Sequence, residues 1–368
     1  MTNIINEGSH TVSLDEAANW VVATPGLVYS LVGESGIGKS TLLGIITRLA
    51  NERAGDEIYW PIYWDMASKD VSDIGVPALN HENQTIRMYI NELFSPPRPG
   101  MKPVICMDEF SKAGRAVRNM THPLLERTKP RLGSWYAPEG FIRFLTGNLT
   151  AMGVGDDFQA HSINRFTRLV IRKPDADPQI KWLLDNRSYL YEGTPPVCAW
   201  LKQTPEAFAS WLEPGQENNE MIFNPKHPTR PFVSGRSIEA ACEIVHSRAG
   251  QSPASLLPVL AGTIGAAAAR DLVTWINLQD QLPKLETIQN SPSTARIPDD
   301  GAACVVMAFK LVAVLNPDNL APICTYMSRM PDEQLALFYI NAVRCGKQTI
   351  LTKNSAFRTW LVENQDLI

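Results

Sequence analysis

The segment from Gly26 to Thr41, GLVYSLVGESGIGKST, restricts the fold more than any other part of the chain. An apolar run that begins at Leu27 predicts a buried strand, and an apolar-periodic helix begins directly after the loop that follows it. That loop, Gly33 to Ser40, fits the pattern G-x-x-x-x-G-K-[ST]. Strand, loop and helix in this order predict a phosphate-binding loop.

The loop residues have the chemistry that a nucleoside triphosphate requires. Backbone N–H groups around the glycines would converge on one concavity, and the N-terminus of the following helix also attracts phosphate. Lys39 would reach the β- and γ-phosphates, and the Ser40 hydroxyl would bind Mg²⁺. We therefore predict ATP and Mg²⁺ as cofactors, with nucleotide contacts from Gly33, Glu34, Ser35, Gly36, Ile37, Gly38, Lys39, Ser40 and Thr41.

Length and composition set broader limits on the class of protein. The 368 residues are enough for two or three domains, and 44% hydrophobic with 20% charged residues is typical of a globular protein. A net charge of −4 argues against a protein that coats nucleic acid, although a local basic channel is compatible with it. We see no signal peptide and no apolar run near the ~18 residues of a membrane span. Six cysteines without a C-x-x-C pair favour a reducing cytoplasm over a disulfide or metal framework.

A second motif, PVICMDEF from Pro103 to Phe110, has the features of the other half of a nucleotide site. Four apolar residues predict a buried strand whose end presents Asp108 and Glu109. Two adjacent carboxylates are costly unless a positive charge lies near them, and nucleotide-bound Mg²⁺ supplies one. We predict that Asp108 binds the metal and that Glu109 deprotonates the attacking water.

Three further polar residues follow predicted strands. Asn148 comes at the end of the strand Phe141 to Leu145, where its amide would hydrogen-bond the γ-phosphate or the lytic water. Arg165 precedes the strand-like segment Phe166 to Ile171, and Arg168 follows three residues later. An arginine so placed either projects into the nucleotide site of a neighbouring subunit or is paired locally and solvated.

The basic stretch between Lys112 and Arg131 leaves two interpretations open. It contains six cations and precedes Trp135 and Tyr136. Basic residues interleaved with aromatic ones contact single-stranded nucleic acid in some proteins. The same pattern is also that of a solvated face or of a surface facing an acidic neighbouring subunit.

The remaining segments of the nucleotide domain give conventional local predictions. Pro61, within the aromatic strand Ile58 to Ala67, indicates an edge strand or a bulge. Helices are predicted over residues 14–22, 41–50, 84–94 and 112–120, an exposed loop over 68–82, and a short hairpin or loop over 131–140.

Taken in order, these motifs resemble those of an AAA+ ATPase, and within that class a MoxR-like, dynein-related branch of bacteria and their phages. The resemblance is carried by GESGIGKST, KDVSDIGVP, VICMDEF, LLERTKPRLGSWYAPEGFIRFLTGN, INRF and FVSGRSIEAA. It implies that Asn148 is the sensor 1 residue, Arg165 the arginine finger that acts in trans, and Arg236 the sensor 2 arginine. Arg168 is the alternative finger. Where the family has a proline before the sensor 2 arginine, this sequence has Gly235.

The fold class we predict is α/β, a P-loop NTPase of AAA+ type. Its parallel five-stranded sheet would have strands beginning near Leu27, Ile58, Pro103, Phe141 and Phe166, with flanking helices. The predicted domains are the nucleotide-binding domain at residues 1–176, a helical lid at 177–280 and a helical C-terminal extension at 281–368.

The predicted function is Mg²⁺-dependent ATP hydrolysis by a homo-oligomeric ring, expected to be a hexamer. The preferred role is chaperone-like remodelling of a protein client, and the resemblance implies a von Willebrand factor A domain partner. Two alternatives stay open, a DNA-associated motor or loader and a slow nucleotide-dependent assembly switch. Nucleic acid is the less favoured partner, and no membrane association is expected.

Overall fold

The chain divides into two compact units, residues 1–173 and residues 174–368, and six parallel strands among the described residues of the first unit form a sheet. The computed structural model describes residues 10–149 and 164–367. The described strands are β1 (Thr11–Val12), β2 (Tyr29–Gly33), β3 (Tyr59–Asp65), β4 (Gly75–Asn80), β5 (Thr85–Ile90), β6 (Lys102–Asp108), β7 (Arg131–Leu132), β8 (Trp135–Tyr136), β9 (Ile142–Asn148) and β10 (Thr167–Ile171). The sheet order is β1-β10-β2-β9-β6-β3, and all neighbouring strands in it are parallel.

This sheet confirms the predicted α/β fold class. The five predicted strands are present, and the first residue of each lies within two residues of the predicted start. The sixth strand, β1, is not among the predicted strands. It has two residues, which pair with Val170 and Ile171, and a segment this short gives no periodic pattern. Pro61 lies in β3, which is an edge strand as predicted.

Helices cover the sheet and make up most of the second unit. In the first unit they are α1 (Leu14–Ala23), α2 (Leu42–Ala54), α3 (Val71–Ile74) and α4 (Arg115–Thr121). In the second they are α5 (Ala176–Arg187), α6 (Thr194–Gln203), α7 (Gly235–His246), α8 (Pro253–Ile264), α9 (Ala266–Asp280), α10 (Leu285–Asn290), α11 (Gly301–Val314), α12 (Leu320–Met327), α13 (Asp332–Arg344), α14 (Gln348–Leu351) and α15 (Ser355–Glu363). Among the described residues, no helix has both the length and the apolar character that crossing a membrane requires.

An antiparallel hairpin corrects two local predictions. Residues 68–82 are not a continuous loop, and residues 84–94 are not a helix, because β4 and β5 pair with each other along their whole length. The turn between them is held by Asn80, whose Oδ1 accepts from the backbone N–H groups of Glu82 at 3.1 Å and Asn83 at 3.2 Å. Cross-strand pairing is not visible in a local helical pattern, and it overrides that pattern here.

The two faces of the sheet are buried in two separate hydrophobic clusters. Alternate residues of one strand point to opposite faces, so Val104 and Cys106 of β6 enter one cluster while Ile105 and Met107 enter the other. The helices α1 and α2 contribute to the cluster of Val104 and Cys106. Burial on both faces explains why the strands read as nearly continuous apolar runs.

The second unit is helical and is built around one hydrophobic cluster. Its members extend from Ala176 to Phe357, so residues on both sides of the predicted boundary at 281 share this core. The division into a lid and a C-terminal extension stays a prediction. The largest fully buried side chains of this unit are Trp200, Phe208, Phe309, Tyr326, Phe338, Tyr339 and Phe357.

Gly193 provides a test of the packing between the start of α6 and α7. A Cβ at Gly193 would lie 1.9 Å from the backbone oxygen of Cys242, an atom that cannot move without displacing α7. We predict that Gly193→Ala lowers the free energy of unfolding by about 2–3 kcal/mol. The matched control is Gly262→Ala within α8, where nothing lies within 4 Å of the added Cβ and a gain of up to about 1 kcal/mol is expected. Urea unfolding followed by tryptophan fluorescence measures the free energy of unfolding of both variants. Equal changes in the two variants would contradict close packing of Gly193 against Cys242.

Candidate active site

The phosphate loop leaves β2 at Gly33 and returns to α2 through a short 3-10 turn, Lys39–Thr41. Gly38 has φ +95°, which L side chains rarely adopt. A Cβ at Gly33 would lie 2.6 Å from Ile37 Cδ1 and 3.1 Å from the backbone oxygen of Ile171, so a larger residue here would require these neighbours to shift. Ile37 is itself buried in a core cluster and anchors the loop to the domain.

The Lys39 ammonium is held inside this loop. Its residue is only 9% exposed, and Nζ donates to the backbone oxygens of Gly33 at 3.0 Å and Glu34 at 2.6 Å. Nζ also donates to Oδ1 of Asn148 at 3.1 Å. The lysine is thereby fixed between the loop backbone and the end of a neighbouring strand.

Asp108 ends β6 and is held by two hydroxyl groups. Its Oδ2 accepts from the Tyr63 hydroxyl at 2.6 Å, and its Oδ1 accepts from the Thr146 hydroxyl. Burial and the Asp108 carboxylate raise the pKa of Tyr63, so this hydroxyl stays a donor. Neither Tyr63 nor Thr146 is among the predicted site residues. The sequence position of Thr146 could have indicated a role in the site. It lies two residues before Asn148 and therefore on the same face of its strand.

Glu109 follows the strand with φ +50°, a left-handed conformation that is uncommon for a non-glycine residue. Its Oε1 lies 2.7 Å from Lys112 Nζ and accepts from Nδ2 of Asn148 at 3.4 Å. Non-glycine residues in such conformations cluster at functional sites because the surrounding structure must hold them there. Because Asn148 Oδ1 accepts from Lys39 and Asn148 Nδ2 donates to Glu109, the Asn148 amide connects these two residues.

The donor set fits a magnesium ion bound together with a nucleotide. No group of three or more His, Cys, Asp or Glu side chains suited to a metal occurs within residues 10–149 and 164–367. Mg²⁺ does not need such a cage, because it is commonly bound by one or two carboxylates together with substrate phosphates. Each Asp108 oxygen accepts one hydrogen bond and keeps further acceptor capacity, and Ser40 is exposed at the loop.

The three predicted arginines lie in different environments. Arg165 Nη1 forms an ion pair with Glu126 and lies 3.1 Å from His122 Nδ1, with 34% of its side chain exposed. Arg168 lies on β10, in register with Ser30. Arg236 lies in the first turn of α7 in the second unit, after the capping residue Ser234. The roles of these arginines stay predictions.

The fold and the site together define a P-loop nucleotide-binding domain. A loop bent by glycines follows one parallel strand, a buried lysine lies within it, and an acidic pair ends a strand of the same sheet. The domain contains both halves of the predicted site.

Comparisons with known proteins agree with nucleotide binding without fixing the family. Residues 21–118, a little over a quarter of the chain, match the family model described as ABC transporter. This part contains the phosphate loop and the acidic pair, which P-loop NTPases share. No curated protein sequence is significantly similar to the chain.

Solved structures with similarity include NtrX from Brucella abortus and a putative ATPase from Cytophaga hutchinsonii. NtrX in complex with ADP is 15% identical, with 86% of this chain and 63% of that chain covered and a TM-score of 0.38. NtrX in complex with ATP is 12% identical, with coverage of 92% and 64% and a TM-score of 0.36. The putative ATPase is 11% identical, with coverage of 92% and 84% and a TM-score of 0.32. The chain spans less than two thirds of the NtrX chain, and TM-scores this low do not establish a shared arrangement of the whole chain.

Proposed function

We propose that the protein is an Mg²⁺-dependent ATPase of AAA+ type that belongs to the MoxR-like branch. The observation that carries the proposal is the hydrogen-bonded series Lys39, Asn148, Glu109 at the ends of adjacent strands. It joins the residue predicted to bind the β- and γ-phosphates to the residue predicted to activate water. The motifs that resemble those of AAA+ proteins support the assignment to the AAA+ class and to its MoxR-like branch.

The residues of the site divide the reaction between them. Lys39 and the loop N–H groups would bind the phosphates, and Ser40 and Asp108 would hold the magnesium ion, which supplies further neutralisation of phosphate charge. The Glu109 carboxylate would accept a proton from water as the water oxygen bonds to the γ-phosphorus. The bond from that phosphorus to the bridging oxygen breaks, and ADP and phosphate are released. Asn148 would orient the water and Glu109 relative to each other.

Two substitutions separate nucleotide binding from hydrolysis. Lys39→Ala should abolish both, because it removes the buried phosphate-binding charge. Glu109→Gln should keep ATP binding and lower turnover by about 10²–10⁴-fold, the usual contribution of a general base. Thermal stabilisation by ATP, with and without a magnesium chelator, measures binding, and phosphate release measures turnover.

The matched control is Glu57→Gln, because Glu57 is an exposed glutamate at the opposite end of the adjacent strand. It should leave binding and turnover unchanged. ATP hydrolysis at the parental rate by Lys39→Ala or by Glu109→Gln would contradict the proposal.

We further propose that the active form is a ring, preferably a hexamer, in which Arg165 of one subunit acts on the nucleotide of the next. Within its own subunit the Arg165 guanidinium is paired with Glu126 and is partly exposed. Contact with a neighbouring triphosphate would offer this guanidinium a more highly charged partner. Arg168 is the alternative, and Arg236 is proposed to contact the γ-phosphate from the helical unit.

A mixing experiment tests action in trans. Arg165→Ala alone should reduce turnover by about 10³-fold, as loss of an arginine finger does, while Arg168→Ala should change it little. Lys39→Ala keeps its arginine and Arg165→Ala keeps its phosphate loop, so a mixture of the two should regain part of the activity. Subunit exchange is followed by native mass spectrometry, which also reports ring size. If the exchanged mixture stays inactive, or if Arg165→Ala is fully active, the trans arrangement is wrong.

The work that hydrolysis drives is proposed to be remodelling of a protein client, with a von Willebrand factor A domain protein as the partner. This rests on the MoxR-like motifs alone. In the basic stretch, Lys112 is paired with Glu109, which reduces the charge left for the alternative DNA-associated role. Strong stimulation of turnover by single-stranded DNA would favour that alternative, and negligible turnover with intact ATP binding would favour the slow switch.

A further inference from the structure

A cavity of about 370 Å³ in the first unit lies at the opposite edge of the sheet from the phosphate loop. Its lining includes Gly26, which precedes β2, and Arg143, near the start of β9. The phosphate loop follows β2, and Asn148 ends β9. Five residues of extended chain separate Arg143 from Asn148, which corresponds to roughly 16 Å. The cavity is therefore separate from the candidate active site.

Arg143 is an unusual residue to find in this cavity. It is only 2% exposed, its Nη2 donates to the backbone oxygen of Glu126 at 2.8 Å, and its guanidinium lies 4.7 Å from the centre of the Phe141 ring. Its Nε is buried without a hydrogen-bond partner. A buried, unsatisfied donor on a charged group is costly, and such groups are rare in folded proteins.

Further positive charge lines the same cavity. Arg127 and Lys129 contribute to its wall, and neither is in an ion pair with a described residue. Burial lowers the pKa of Arg143 to about 10, and the nearby charge of Arg127 contributes to the same shift. Among the described residues that line this cavity, Glu139 is the one carboxylate.

A fourth cation lies at the edge of the cavity. The Lys102 ammonium would be 3.0 Å from a Cβ at Gly140, and Gly140 is part of the lining. Lys102 begins β6, so it belongs to the same edge of the sheet. The local charge is therefore strongly positive, although the whole chain carries a net charge of −4.

We propose that this cavity binds the phosphate group of a small phosphorylated molecule, at a site separate from the hydrolysed nucleotide. The phosphate oxygens would pair with Arg127 and Lys129, the exposed cations of the wall, and the buried Arg143 guanidinium would add positive charge beside them. The volume suits a small ligand, and the proline, alanine and phenylalanine residues of the wall would contact its non-ionic part. A long polyanion is less favoured because the deepest cation, Arg143, is almost wholly buried.

Inorganic pyrophosphate is the probe for this site. It is titrated into the full-length Lys39→Ala variant by calorimetry, so that the phosphate loop does not contribute. We expect saturable binding of pyrophosphate. Adding the substitutions Arg127→Gln and Lys129→Gln should weaken it roughly tenfold or more. Both residues are exposed, so these substitutions are compatible with folding. The control pair is Arg115→Gln and Lys69→Gln, which removes the same charge elsewhere on this unit and should leave pyrophosphate binding unchanged.

Each outcome of this titration decides the proposal. Absence of pyrophosphate binding, or equal loss in the test and control pairs, would overturn it. Binding of citrate in place of pyrophosphate would overturn the assignment to phosphate, and binding of a short single-stranded oligonucleotide in place of pyrophosphate would overturn the assignment to a small molecule. In the background with Lys39 intact, the Arg127→Gln and Lys129→Gln pair should keep ATP turnover. Loss of ATP turnover in Glu109→Gln is measured separately, so a failure of this site is distinguishable from a failure of the proposed ATPase.

Discussion

The side-chain amide of Asn148 is the contact on which the candidate active site depends. Its oxygen accepts from the Lys39 ammonium and its nitrogen donates to the Glu109 carboxylate. The reversed amide would place its NH₂ group against the ammonium and its oxygen against the carboxylate, so the two charges fix its orientation. Because β9 lies between β2 and β6 in the sheet, Asn148 is the residue that connects the phosphate loop to the acidic pair.

The parts of this site that could be predicted are those written in contiguous sequence. The loop with Lys39 and the acidic end of the third predicted strand are short motifs whose order along the chain already implies a common edge of a parallel sheet. Tyr63 and Thr146 belong to no short motif, and their contact with Asp108 appears only when β3, β6 and β9 lie side by side in the sheet. The predictions of a loop over residues 68–82 and a helix over 84–94 are wrong for a related reason. Each of the strands β4 and β5 is stabilised by pairing with the other, and the local sequence pattern does not show this pairing.

The strand β9 carries functional candidates at both ends. Asn148 takes part in the candidate active site, and Arg143 lines the cavity proposed to bind phosphate. Glu126 links this cavity to the arginine that is proposed to act in trans, because its backbone oxygen accepts from Arg143 while its carboxylate pairs with Arg165. The first unit thus contains a candidate active site joined by a bridging amide and, at the other edge of its sheet, the cavity proposed to bind phosphate.

The bridging role of Asn148 is tested by the single-turnover rate of ATP hydrolysis by Asn148→Ala at saturating nucleotide. Loss of the bridging amide should lower this rate about 10²-fold, as does loss of one positioned polar group in an active site, and should leave ATP affinity nearly unchanged. A single-turnover rate equal to that of the parent would show that the connection between Lys39 and Glu109 has no part in the chemistry.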